Sequence, residues 1–383
     1  MEKRAGVYIH IPFCERKCTY CNFNTTDFAG GLAARYVDAV AREIAFWGER
    51  TDGAVDTIYF GGGTPSIVEA DQLARLIQSC RESFDVAAEA EVTIEINPAT
   101  LSRRKLDRWR ESGINRASVG VQSFIDRDLA ALSRTHTAAE ARDTIAALAE
   151  AGFDNISLDL IAGLPEQSLA DWEFNLNQAL RLGPAHLSLY LLEIKEGTQL
   201  YAQLKRGQRP RPDDDLAAEM YRMICAAAAD AGYEHYEISN FALRDEGSPG
   251  RLRSKHNLKY WTGAAFYGMG CGAHSYDGAA RRVNLLQTEK YIEAINSKGD
   301  ATGERTELTG ESRAAEALFM GLRLIEGIRL DEFRDEYGLD VAARYEEEIA
   351  RLGEAGLVEI SGNNMKLTAR GLLLSNEVFV CFV

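Results

Sequence analysis

Short apolar runs, each followed by a longer stretch with an apolar residue every third or fourth position, recur through the first half of the chain. The runs are "GVYIHIP" (6–12), "TIYFGGGT" (57–64), "EVTIEINP" (91–98), "RASVGVQS" (116–123), "NISLDLIAGLP" (155–165) and "HLSLYLLEI" (186–194). Each is short, β-branched and largely apolar, which predicts strands covered on both faces. The stretches between them, such as "LAARYVDAVAREIAFWGER" and "ADQLARLIQSCRESF", carry the helical period. "LSRRKLDRWRESG" closes on the glycine that ends many helices. "THTAAEARDTIAALAEAG" opens with a candidate capping box, Thr137 to Glu140, and also ends on Gly. Strands alternating with helices require a parallel sheet with helices outside. Six units fall short of the eight in a closed barrel, so the predicted fold is α/β, a partial, open (β/α)6 barrel. Functional groups then belong at the C-terminal ends of the strands and in the loops just after them.

The rhythm breaks at "KRGQRPRPDDD" (205–215), a polar, proline-containing stretch that reads as a linker. A helix near 213–231 and loops rich in Gly, His and aromatics follow, up to about residue 299. From about 307 the pattern is helix, helix, strand, turn, strand, with "SGNN" (361–364) as a hairpin turn, which resembles a winged-helix module. The expected division is 1–205 for the barrel, 206–300 for an extension and 301–383 for a smaller α+β domain.

Composition narrows the function. The formal charge is −15, from 43 basic and 58 acidic residues spread along the chain. Residues 305–383 hold nine Lys/Arg against fifteen Asp/Glu. Neither balance suits nucleic-acid binding, which wants a concentrated basic face. No apolar run approaches the roughly 18 residues of a membrane span, and the start runs straight into a strand pattern without a signal-peptide core. A cytoplasmic setting is expected. In that reducing compartment clustered thiols mean metal or redox chemistry rather than disulfides. Of the seven cysteines, Cys80, Cys225 and Cys381 sit in apolar or helical patterns and read as ordinary thiols.

Cys14, Cys18 and Cys21 crowd into one loop after the first strand, where such a barrel places its chemistry. Their C-x3-C-x2-C spacing lets one irregular loop aim three thiolates at three irons of a cubic cluster. The competing reading is a zinc site completed by His10 or a distant His, but zinc prefers paired C-x2-C units and a closed tetrahedron. A [4Fe–4S] cluster normally takes four cysteines; three leave one iron open, as catalytic metals are. "GGGTP" (61–65) after the second strand allows close backbone approach to a ligand. Glu95, Gln122 and Asp159 come from strands three to five, with Arg134 just beyond strand four, and all four converge on the same mouth.

The cysteine spacing, with Tyr20 before the third Cys, resembles the radical S-adenosylmethionine (SAM) superfamily. That resemblance implies a [4Fe–4S] cluster whose open iron is chelated by SAM, an electron donor for the cluster, and reductive cleavage of SAM to methionine and a 5′-deoxyadenosyl radical. "YIHIPFCERKCTYC", "YFGGGTPS", "GVQSF", "LSRTH", "LDLIAGLPEQ" and "LTARGLLLSNEVF" are similar to the oxygen-independent coproporphyrinogen III oxidase family over nearly the whole chain. Residue by residue this implies SAM contacts from Tyr8, Tyr20, Gly62, Gly63, Thr64, Glu95, Gln122, Arg134 and Asp159, with Glu193 nearby. The true oxidases carry a further Cys in a C-x-C after the third; here those two positions are Asn22 and Phe23. The other group, the HemW-type haem chaperones, lacks that Cys and carries H-N-x-x-Y-W, here "HNLKYW" (256–261). The resemblance is closest to this second group. It implies haem as cargo, delivery to haem-requiring proteins such as membrane respiratory enzymes, and a homodimer left open.

His256, Tyr260 and Trp261 are the residue types a haem site uses, an axial imidazole and flanking aromatics. The alternative is a satisfied histidine beside core aromatics. "GMGCGAHSY" (268–276), with Cys271 and His274, reads as a tight turn packed on the barrel or as a second wall of the haem site. His10 reads as a hydrogen-bonding neighbour rather than a metal ligand. The alternative function is the oxidase reaction, anaerobic oxidative decarboxylation of coproporphyrinogen III.

Overall fold

The computed structural model describes residues 4–51 and 53–382; residues 1–3, 52 and 383 of the expected divisions lie outside them. The first half is built as β1 (Ala5–Ile11), α1 (Gly30–Gly48), β2 (Ala54–Gly62), α2 (Ala70–Ser83), β3 (Asp85–Ile96), α3 (Arg103–Ser112), β4 (Arg116–Gln122), α4 (Ala138–Glu150), β5 (Asn155–Ala162), α5 (Leu169–Leu182) and β6 (His186–Leu191). The six strands are parallel and lie side by side in chain order. Local chemistry sets the helix ends. Ser102 caps α3, which stops at left-handed Gly113, and Thr137 with Glu140 forms the capping box of α4.

The strands alternate more strongly than their composition suggests. Val7, Ile9, Ile58, Phe60, Val92, Ile94, Val119, Leu158 and Leu187 pack beneath the helices in one core. The residues between them, including Tyr8, Thr57, Thr93, Arg116, Ser118, Ser157 and His186, are polar and face the inside, where Ser157 bonds His186, Ser118 bonds Asp159 and Tyr8 stacks on Tyr59. The strands are covered on both faces, as expected. One face carries the hydrophobic core and the other lines a polar barrel interior.

The region expected as loops contains five short strands and two helices. α6 (Asp214–Asp230) precedes the hairpin of β7 (Tyr233–Glu237) and β8 (Asn240–Leu243), which adds to β6 in antiparallel fashion. α7 (Lys255–Trp261) is followed by β9 (Phe266–Met269), which runs parallel to β1 on its free side. Three antiparallel strands then continue outward: β10 (His274–Tyr276), β11 (Ala280–Asn284) and, after α8 (Thr288–Lys298), β12 (Thr302–Glu307). The result is one sheet of twelve strands, ordered β12-β11-β10-β9-β1-β2-β3-β4-β5-β6-β8-β7. Strands of three to five residues are too short to show a period in sequence.

After α9 (Gly310–Gly321), a three-stranded sheet forms from β13 (Ile328–Arg329), β14 (Val358–Ser361) and β15 (Asn364–Leu367), with β15 central. It has its own hydrophobic cluster around Leu318, Phe333, Leu352, Met365 and Phe382. Among the described residues no helix is long and apolar enough to cross a membrane.

Candidate functional site

The cysteine loop leaves the C-terminal end of β1 and is pinned along its length. Thr26 N–H donates to Pro12 O (2.8 Å), Phe28 N–H to Cys14 O (3.0 Å) and Thr19 N–H to Leu132 O (3.1 Å). Asn24 holds the outgoing limb, donating to Leu286 O at 2.9 Å, while its own carbonyl bonds His10 Nε2 at 2.9 Å. With Nδ1 on the Tyr8 hydroxyl (3.1 Å), both His10 ring nitrogens are engaged.

All three thiols are half-buried. Burial pushes Cys14 and Cys21 above the usual thiol range, and the neighbouring thiols add to it. The Thr64 hydroxyl lies 3.5 Å from Cys14 Sγ, and Arg134 Nη1 donates to Cys18 Sγ at 3.5 Å. Among the described residues no three His, Cys, Asp or Glu side chains stand close enough to hold one metal ion. A cubic cluster, which seats each thiolate on its own iron, does not require that closeness.

The glycine run at the end of β2 lies against this loop because it has no side chains. Gly63 N–H donates to Ile11 O and Thr64 N–H to Phe13 O, both at 2.8 Å. A Cβ on Gly63 would stand 2.7 Å from the Pro12 carbonyl, and Gly62 has φ +113° with the His10 ring beside it. Glu95 sits beneath the run, accepting from Tyr59 Oη at 2.9 Å and from Gly62 N–H at 3.1 Å. Burial raises its pKa to about 7. Asp159 accepts from Ser118 at 3.1 Å and is likewise raised by burial. Gln122 holds a left-handed φ of +66°, a strained setting of the sort found at ligand sites. The structure thus brings Tyr8, Tyr20, Gly62, Gly63, Thr64, Glu95, Arg134 and the three cysteines around one mouth, with Asp159 and Gln122 on the adjoining strands. Glu193 stands apart, exposed and paired with Lys195.

Two cations stand inside the barrel, half-buried Arg134 at the mouth and buried Arg116 at the start of β4, nearer the floor. Arg134 donates to Gly120 O at 2.8 Å and to Asn97, yet its Nε has no partner. Arg116, at 1% exposure, forms no ion pair among the described residues, and its Nε is also unpartnered. Its charge reaches Glu95, Asp159, His186 and His256. The open Nε of Arg134 at the mouth calls for a polar or anionic ligand. The carboxylate and hydroxyls of SAM, held against a glycine cradle, fit that requirement. Sequence reading missed Arg116, although stepping back by twos along β4 from Gln122 passes Gly120 and Ser118 and lands on it.

"HNLKYW" lies elsewhere. It forms α7, capped by Ser254, and His256 is only 1% exposed. His256 Nδ1 meets the Thr57 hydroxyl at 2.8 Å and Nε2 meets the Tyr260 hydroxyl at 3.0 Å, while the ring stacks on Tyr59 at 5.0 Å. Burial, with Lys259 and Arg116 nearby, lowers its pKa to about 3, so the ring is neutral. Thr57 is near the start of β2, so His256 closes the barrel at the end opposite the cysteines. In this conformation neither nitrogen is free for iron. Trp261 packs under Arg323, 4.4 Å from its ring, and does not share a face with His256 in the way a haem pocket would require. Of the six histidines only His274 is exposed. The "GMGCG" turn is packed on the barrel, where Cys271 N–H donates to Tyr36 Oη at 2.9 Å.

Comparison with known proteins agrees with this layout. Residues 8–178 match the radical SAM superfamily and residues 308–374 the HemN C-terminal domain. The chain is 36% identical over 381 residues to the heme chaperone HemW of Bacillus subtilis, covering 99% of both chains. It is 38% identical over 336 residues to HemW of a Synechocystis species, covering 84% of this chain and 79% of that one. The solved structure of coproporphyrinogen III oxidase (HemN) from Escherichia coli superposes with a TM-score of 0.85 at 25% identity, over 99% of this chain and 90% of that one. With the radical SAM loop, the HemN-type C-terminal unit and full-length identity of this order, the chain belongs to the HemW branch of the coproporphyrinogen oxidase-like radical SAM family.

Proposed function

We propose that this protein is a cytoplasmic haem chaperone, binding haem and passing it to haem-requiring proteins, respiratory enzymes among them. The observation that carries the reading is the 36% identity to a named heme chaperone along the whole of both chains. The site supports it at one position. Where the oxidases carry their extra Cys, this chain has Phe23, which is 60% exposed at the edge of the cysteine loop.

In this reading Cys14, Cys18 and Cys21 hold a [4Fe–4S] cluster, and Gly62, Gly63, Thr64, Glu95, Gln122, Arg134 and Asp159, with Tyr8 and Tyr20, hold SAM. When bound, the two together supply one-electron reductive chemistry. The chain's own part is to seat them. Arg134 offers positive charge beside Cys18, the glycine run admits close approach, and Glu95 accepts hydrogen bonds from polar groups. A protein electron donor serves the cluster. Haem ligation by His256, with Tyr260 and Trp261, requires α7 to swing off the barrel floor and release the Thr57 and Tyr260 hydrogen bonds. His274 is ligand-ready without any movement.

Anaerobically reconstituted protein titrated with haem tests the reading, with His256→Ala and His274→Ala alongside. Saturable haem binding in the wild type, lost in His256→Ala while the cluster chromophore persists, is the expected result. Loss in His274→Ala instead moves the ligand to β10, and no saturable binding in the wild type contradicts the function. The alternative reading, oxidative decarboxylation of coproporphyrinogen III, rests on the TM-score of 0.85 to the oxidase. Multiple turnovers of coproporphyrinogen would favour it.

A further inference from the structure

A second polar cavity lies away from the barrel mouth, between the C-terminal end of α1 and the β9–β11 strands. Its volume is about 230 Å³, and Trp47, Arg50, Tyr267, Asp277, Arg282 and Arg305 line it. We propose that this cavity binds an organic anion through a carboxylate or phosphate head.

Arg282 carries the inference. It is 7% exposed and forms no ion pair among the described residues. Nη2 donates to Ser275 Oγ at 2.9 Å and more weakly to Gly268 O at 3.4 Å, but Nη1 has no partner. The guanidinium lies 3.6 Å over the Trp47 ring, and the Trp47 indole N–H is also buried without a partner. Two unmet donors on one buried wall are costly unless a ligand's acceptors meet them. A planar guanidinium beside an indole N–H matches an oxyanion.

The nearby acids do not already meet this need. Glu43 lies within electrostatic reach, but Gly270 N–H, the Tyr291 hydroxyl and the Asn284 amide take up its oxygens. Asp277 turns an oxygen to its own loop, accepting from Ala279 N–H at 2.9 Å and Ala280 N–H at 2.7 Å. Asp300 acts on Arg282 electrostatically, while its carboxylate accepts from Thr302 N–H at 2.8 Å. At the rim, exposed Arg305 pairs with Glu307, while Arg50 pairs with Glu49 and is held on Phe46, donating to its carbonyl at 2.6 Å. The volume exceeds a bare oxyanion, and the Trp47 and Tyr267 walls suit an apolar or ring-bearing tail.

Isothermal titration of the full chain with inorganic phosphate, acetate and benzoate, at constant ionic strength, tests this. Saturable binding of at least one is expected, and which binds tightest separates a phosphate head from a carboxylate. Arg282→Gln should weaken it about tenfold or more, and the exposed Arg305→Gln about two- to threefold, with chloride giving no heat. Arg305→Gln keeps the question decidable if Arg282→Gln fails to fold. No saturable anion, or unchanged affinity in a folded Arg282→Gln, or in Arg305→Gln where Arg282→Gln does not fold, overturns the proposal.

Discussion

At the scale of single residues, the barrel interior is governed by what burial does to charge. Glu95 ionises near pH 7 in the fold and near 4.5 when unfolded. Between those values the folded chain holds a proton that the unfolded chain has released. The stability linked to Glu95 is therefore complete below about pH 4.5 and is lost as pH rises through 7. Glu95→Gln removes that titration. The ligand-free variant is expected to gain about 3 kcal/mol over wild type at pH 8, with the difference closing toward pH 5. Urea melts across that range check it, and parallel curves would refute the assignment. His256 is the reverse case, a neutral ring between two hydroxyls. His256→Ala leaves the Thr57 and Tyr260 hydroxyls buried without partners and should cost about 2–4 kcal/mol, read from the denaturation midpoint.

At the scale of elements, the cysteine loop depends on the end of β2 as much as on its own sequence. Gly63→Ala drives a Cβ against the Pro12 carbonyl, a backbone group that cannot rotate away. A loss of about 1–3 kcal/mol is expected, together with lower iron retention after reconstitution; unchanged melting and iron content would show that the loop tolerates the shift. The βα rhythm, the caps at Thr137 and Gly113 and the cysteine loop could all be read from the sequence, because each is encoded within one turn or one strand. The β7–β8 and β10–β11 hairpins could not, being too short to display a period. The spacing of His256 and Tyr260 marks one face of a helix. What that face meets is Thr57, about 200 residues away in sequence, and only the fold supplies it. Arg116 was hidden for a similar reason. A charged residue at the start of an apolar run reads as a strand boundary until its neighbours on the inner face are known.

At the scale of the molecule, one sheet holds the proposed cluster site and the proposed haem segment at opposite ends. The cysteines and glycine run occupy the C-terminal ends of the strands, and α7 closes the other end. Tyr8 and Tyr59 stand between them, stacked with each other and with His256. Replacing Cys14, Cys18 and Cys21 by Ser should remove the iron, about four atoms per chain in the wild type, while haem binding by α7 or β10 persists. Iron analysis and haem titration of the same preparation separate the two.

The most direct test of the central claim offers both substrates to one anaerobically prepared, cluster-loaded sample. Haem is followed by its Soret absorbance and coproporphyrinogen III by product formation. The chaperone reading predicts saturable haem binding and at most stoichiometric decarboxylated product. Repeated turnover of coproporphyrinogen without saturable haem binding would contradict it.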